Sequence, residues 1–140
     1  MFLLDTNVVS ELRKAKSGKA DKHVVRWAAG VPAGNLYLSA ITLLELETGI
    51  LLIERRDARQ GKSLRSWFNE QVLPAFDGRI LPVDTAVALC CARLHVPDPR
   101  AERDALIAAT ALVHTLTVVT RNVSDFAGAD VTVLNPWDHD

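Results

Sequence analysis

Phe2, Leu3 and Leu4 run without polar alternation into Asp5, the pattern of a short buried strand that ends in an acid. Thr6 or Asn7 can cap the helix that Val8, Val9 and Leu12 signal next. A polar, basic connection from Arg13 to Lys22 leads to a second helix marked by Val24, Trp27 and Ala28, stopping near Gly30-Val31-Pro32. Leu36-Tyr37-Leu38-Ser39 is a second strand, bounded by turn residues. From Ile41 to about Arg56 the period becomes helical, with Ile41, Leu44, Thr48, Leu51 and Leu52 as one stripe. The mixed charges from Glu54 to Lys62 read as a solvated helical tip before a helix containing Leu64, Trp67, Phe68 and Val72. Ile80-Leu81-Pro82-Val83 is a brief strand, and Asp84 stands at the N-cap of a helix from Thr85 to Leu94. Beyond the Pro97-Asp98-Pro99 turn come a helix from about Glu102 to His114, a strand Leu116–Thr120, a loop Arg121–Phe126 and a last strand Val131–Leu134. Strands that alternate with helices specify an α/β fold, with a central, mostly parallel sheet of about four or five strands flanked by helices.

Length and charge narrow the class. The 140 residues fit one domain with a real core. Their 49% hydrophobic and 24% charged content is ordinary globular usage, which argues against disorder. Sixteen Lys and Arg against 17 Asp and Glu announce no nucleic-acid binder, although phosphate contacts depend on where cations sit rather than on their sum. No run reaches the roughly 18 to 20 apolar residues that span a bilayer, and Asp5 interrupts a signal-peptide reading. The expectation is a soluble, cytoplasmic protein with no membrane partner. Cys90 and Cys91 sit in the apolar run Val87–Ala92 and read as packed helix thiols. His23, His95, His114 and His139 are scattered, with no Ser or Cys arrangement for a triad.

The acids then fall into a pattern. Asp5 ends the first strand, Glu45 follows the second, Asp104 opens the helix before the fourth, and Asn122 and Asp125 follow the fourth. Asp5 can be a helix cap or a residue of a crevice, and Glu45 can face solvent or that same crevice. Right-handed crossovers bring carboxyl strand ends to one edge of a sheet, where such residues can meet. Oxygen ligands without His or Cys suit Mg²⁺ or Mn²⁺.

The stretches LLDTNVVSEL, LSAITLLELETGI, RDALIAATAL, TVVTRNVSDF and the closing NPW, in this order, resemble the PIN-domain family. More closely they are similar to the VapC-like ribonuclease toxins of type II toxin–antitoxin systems, in the FitB-like subgroup. The resemblance covers the chain end to end and implies a single PIN domain over residues 1–140. It implies a Mg²⁺-dependent endoribonuclease, with Mn²⁺ as a possible substitute, that hydrolyses RNA phosphodiester bonds by metal-activated water. Carried onto this sequence, the first three acids are Asp5, Glu45 and Asp104. FitB-like members have an acid directly after the Thr-Arg pair; here that position is Asn122, and Asp125 is the next carboxylate, so either can support a second metal. Thr6 and Thr120 are implied as hydroxyl supports behind the ligands. The implied partners are an RNA substrate, a homodimer mate and a VapB-like antitoxin whose C-terminal segment covers the active site, with a larger complex on operator DNA.

Other readings are weaker or remain as alternatives. Haloacid dehalogenase-like phosphatases need a second acid two residues after the first, where this chain has Asn7; response-regulator receivers need a late Lys after a strand, and none follows Val119. A PIN-fold RNA- or protein-binding module without cleavage, and an RNA-processing nuclease without an antitoxin, both stay open. Presence of Asp5, Glu45 and Asp104 together argues against the first. Arg13, Lys14, Lys16 and Lys19 are candidates for guiding RNA or a solvated loop, and Trp27, Trp67 and Trp137 read as packing residues. The apolar helix surface around Leu51, Leu52, Ile53 and Trp67 is compatible with the homodimer and the antitoxin groove.

Overall fold

The computed structural model describes residues 1–139, so the last position of the expected domain lies outside the described residues. The strands are β1 (Phe2–Leu4), β2 (Leu36–Ser39), β3 (Ile80–Leu81), β4 (Thr117–Val119) and β5 (Val133–Leu134). They form one sheet of order β3-β2-β1-β4-β5, and all four pairings are parallel. Phe2 lies beside Leu36 on one side and Thr117 on the other, and Leu4 pairs with Val119. The chain builds outward from β1 through β2 to β3, then crosses back to β4 and β5. The strand order therefore reverses between β1 and β4, which puts the crevice of a doubly wound sheet at the carboxyl end of β1.

Among the described residues seven helices cover the two faces: α1 (Thr6–Arg13), α2 (Lys22–Ala29), α3 (Ala40–Arg56), α4 (Ala58–Trp67), α5 (Leu73–Ala75), α6 (Thr85–Leu94) and α7 (Glu102–His114). Because side chains alternate along a strand, adjacent residues of β1 serve different cores. Leu4, Leu38 and Val119 pack with Val8, Val9, Val24, Trp27, Leu46 and Ile50 from the first three helices and with Phe68 just after α4. Leu3 and Val118 pack with Ile107, Ala108 and Ala111 of α7 on the opposite face. A third cluster joins α6 to α7 through Val87, Cys90, Cys91, Ala105 and Ala109. The run of small residues in α7 is what lets this helix lie close to both the sheet and α6.

Three sequence expectations are corrected. The strands expected over 80–83, 116–120 and 131–134 each shrink; Pro82 lacks the N–H that a ladder needs, and Val83 is exposed. The expected stripe on α3 has the wrong phase: Leu44, Leu51 and Leu52 are 48%, 51% and 62% exposed, while Thr42, Leu46 and Ile50 are buried. This helix carries leucine or isoleucine on nearly every side, so periodicity alone cannot set its rotation. Packing sets it instead: residues 55–60 form the exposed tip expected, while Glu54 and Gly61 on either side of it are packed together. Gly61 of α4 lies so close to α3 that a Cβ there would stand 2.6 Å from Glu54 Cα. Above it, Arg65 donates to both Glu47 oxygens at 2.6 and 2.7 Å and to Glu54 at 3.1 and 3.2 Å. The helix expected through Val72 continues α4 as a π-turn, Phe68–Val72, and then α5.

Candidate active site

Asp5 leaves β1 at the switch point, and its backbone N–H completes the ladder onto Val119 O at 2.9 Å. Its carboxylate is buried, and each oxygen has a task. Oδ1 accepts the Thr6 N–H at 2.8 Å, so Asp5 itself caps α1, where Thr6 or Asn7 was expected to do so. Oδ2 accepts the Thr120 hydroxyl at 2.8 Å and the Asn7 side-chain amide at 3.2 Å. The cap and crevice readings of Asp5 thus describe one side chain. Burial raises its pKa above the ordinary carboxylate range; the bonds from Thr120 and Thr6 pull it down, the Glu45 charge pushes it up, and the Asn7 bond lowers it slightly.

Glu45 stands one helical turn into α3, whose start Ser39 fixes by accepting the Ile41 N–H at 3.0 Å. Glu45 Oε1 accepts the Thr6 hydroxyl at 2.7 Å, so it faces the crevice, and Arg103 approaches its other oxygen at 3.8 Å. Asp104 lies in the first turn of α7, half-buried. Its pKa is raised first by burial and then by the charges of Asp125, Asp5 and Glu45, which makes it the place where the four acids meet electrostatically. Asp125 is exposed on the single turn Val123–Phe126 after β4. Asn122 caps that turn; its N–H donates to Thr120 Oγ1 at 3.0 Å, so Thr120 ties the β4 end to Asp5.

The donor set fits a hard divalent cation. It is all oxygen, two of its members have ionisation disfavoured, and Arg103, which approaches it, is beyond hydrogen-bond reach of Glu45. Among the described residues no three of these acids bring oxygens within 4.8 Å of one another. That spacing leaves room for the waters that Mg²⁺ keeps.

The PIN-domain family model matches residues 2–130. The chain belongs to the PIN-domain family. Within the family it is 40% identical to toxin FitB of Neisseria gonorrhoeae over the full length of both chains. It is 37% identical to the VapC ribonuclease Y4jK of Sinorhizobium fredii over 99% of each. The solved structure of FitAcB from Neisseria gonorrhoeae has a TM-score of 0.89 with this chain at 39% identity, covering 99% of both. That of FitAB bound to an IR36 DNA fragment also scores 0.89, at 37% identity over 100% of this chain and 98% of the other.

Three features of this PIN fold escape a reading of the sequence. Asn7 bridges Asp5, Thr120 and the Arg121 N–H, with contacts of 3.2, 3.2 and 3.1 Å; only its place two residues after an acid hinted at it. The histidines are not all remote from a cysteine: Cys91 Sγ lies 3.7 Å from His95 Nε2, which lies 3.3 Å from Glu102. His95 follows Cys91 by four residues on the α6 rim, a spacing that could have been noticed. The Arg100 N–H donates to His95 Nδ1 at 3.0 Å, so the proton sits on Nε2, turned toward Glu102. A metal on Nε2 would need that amide bond broken. The group is better described as a latch for the turn at Pro97–Pro99. Finally, the basic residues Arg13 to Lys19 gather at the far end of α1, about 12 Å along that helix from Asp5. Lys14 there is paired with Glu11 at 2.8 Å. A cavity of about 600 Å³ between α6, α7 and the 128–130 turn, lined by Arg93, Leu94, Arg100 and Leu112, contains none of the four acids.

Proposed function

We propose that this PIN-domain protein is a Mg²⁺-dependent endoribonuclease and the toxin of a type II toxin–antitoxin pair. The observation that carries the reading is the electrostatic centre at Asp104, burdened by Asp125, Asp5 and Glu45 at the switch point of the sheet. Its support from outside the chain is the full-length likeness to a protein named as a toxin and to one named as a ribonuclease. Asp5, Glu45 and Asp104 hold the principal Mg²⁺, and Asp125, with Asn122 beside it, supports a weaker second ion. Mn²⁺ can substitute. When bound, the metal neutralises charge on the phosphate and orients water for in-line hydrolysis. Thr6 and Thr120 aim Glu45 and Asp5 by donating to them, and burial keeps Asp5 out of competition from bulk solvent. No side chain serves as nucleophile.

An antitoxin covers the site with its C-terminal segment under this reading, and two copies of the chain pair through apolar helix surfaces such as Leu51 and Leu52 of α3. The likeness to FitAB on DNA supports a larger complex on operator DNA. The test is cleavage of total RNA by antitoxin-free protein in Mg²⁺, in Mn²⁺ and in EDTA, beside Asp104→Asn. The expected result is discrete fragments in either metal, none in EDTA and a loss of at least about 100-fold in the variant. Folded protein that binds RNA but cuts nothing in any metal would instead favour the binding-module reading.

A further inference from the structure

Arg121 follows Thr120 at the end of β4, and Asn7, which also contacts Asp5, accepts its backbone N–H. One side chain therefore ties the Arg121 backbone to the acid site. The guanidinium lies over the Trp137 ring, 5.2 Å from its centroid. Trp137 is fixed in turn: its N–H donates to Asn135 Oδ1 at 3.0 Å in the turn Pro136–Asp138, and it packs against the main core cluster. Among the described residues no carboxylate comes within ion-pair distance of Arg121, whereas Arg103 leans toward Glu45.

An arginine that stacks keeps the N–H donors around its rim free and loses little further freedom when it binds. One residue beyond Thr120, which bonds Asp5, a cation that pairs with no carboxylate among the described residues is suited to an anion arriving from outside. We propose that Arg121, held on Trp137, binds a backbone phosphate of the RNA strand flanking the bond that is cut, with Trp137 as its positioning residue. The inference rests on the ribonuclease reading and extends it to how the strand is laid: across the β4 end of the sheet, beside the acids.

The test measures binding of a fluorescent single-stranded RNA in EDTA at several salt concentrations, and cleavage kinetics in Mg²⁺. The proteins are wild type, Arg121→Gln, Arg121→Lys, Trp137→Phe and Trp137→Leu, each with a melting curve. Arg121→Gln is expected to weaken binding about 10-fold irrespective of sequence. It should also lower the salt slope by about 0.7, the increment for one phosphate on a single strand. KM rises more than kcat falls. Lys at 121 recovers part of the loss, Phe at 137 recovers most of it, and Leu at 137 does not. Wild-type affinity and slope in Arg121→Gln, in a protein that still cuts RNA, overturn this proposal and leave the ribonuclease reading standing. Wild type that neither binds nor cuts RNA overturns both. If Arg121→Gln keeps RNA affinity but loses the antitoxin, the anion is a carboxylate of the partner and the RNA assignment falls. Arg121 is exposed, so its variants decide the matter even if Trp137→Leu does not fold.

Discussion

Thr120 is the residue on which most of the site's order depends. Its buried hydroxyl donates to Asp5 and accepts from Asn7 and from the Asn122 N–H. Replacing it with the near-isosteric valine removes the strongest of the bonds that hold the Asp5 pKa down. A hydrogen bond to a charged group is worth ~1.5 kcal/mol, and one pK unit ~1.4 kcal/mol. Thr120→Val should therefore move the acid limb of the pH–rate profile upward by about one pH unit, and Thr120→Ser should restore it. An unmoved limb in Thr120→Val would show that Asp5 ionisation does not govern the reaction. At this scale the sequence was informative about residues and silent about links. The acid after Leu4 was visible, and the family resemblance implied Thr120 as a hydroxyl support; which acid that threonine serves, 115 positions away, was not, because only the β1–β4 pairing brings the two together.

Among the elements, the α3–α4 hairpin shows why a helix's rotation is harder to read than its existence. Leucine on most sides of α3 makes several stripes equally good, and the choice among them falls to Gly61, Glu54 and Arg65, which become neighbours only after the chain has turned. Alanine is the better helix former by ~1 kcal/mol, so by local propensity Gly61→Ala would stabilise α4. Against that, its Cβ would sit 2.6 Å from Glu54 Cα and Cγ and would push α4 off α3, away from the Arg65 bridges. The expected outcome is a fall in melting temperature of about 2–12 °C, equivalent to roughly 1–3 kcal/mol of overpacking. A rise on thermal denaturation would mean that the hairpin yields more easily than its geometry allows. The cluster of Cys91, His95 and Glu102 was hidden for a similar reason: the turn at Pro97–Pro99 folds Glu102 back onto α6.

For the molecule as a whole, the same acids tie stability to pH and, under the proposed reading, to metal. Asp5 and Asp104 have folded-state pKa values raised above their ordinary value of 3.8. Their contribution to stability is therefore fully present below about pH 4 and is lost as pH rises through the raised values. Glu11 and Glu47, lowered by Lys14 and Arg65, act in the opposite sense, but only near and below the ordinary value of 4.5. As pH rises above the ordinary carboxylate range, the raised pair decides the sign. Melting temperature in EDTA should fall by a few degrees over that rise, about 2–4 °C for each kcal/mol, and Mg²⁺ at pH 7.5 should recover it. Asp104→Asn should flatten both responses, and a metal-free protein whose melting temperature climbs with pH there would contradict the account. Fold class was legible because β1, β2 and β4 are written as largely apolar runs between helices; the rim strands were legible too but read too long, because only two residues of each join the ladder. The sheet order has one further consequence, for synthesis. At about 5–20 residues per second the ribosome delivers Thr120 roughly 6–23 s after Asp5. Through that interval the central strand has no β4 beside it and Asp5 has no threonine to aim it, so the site stays unassembled until most of the chain has been made.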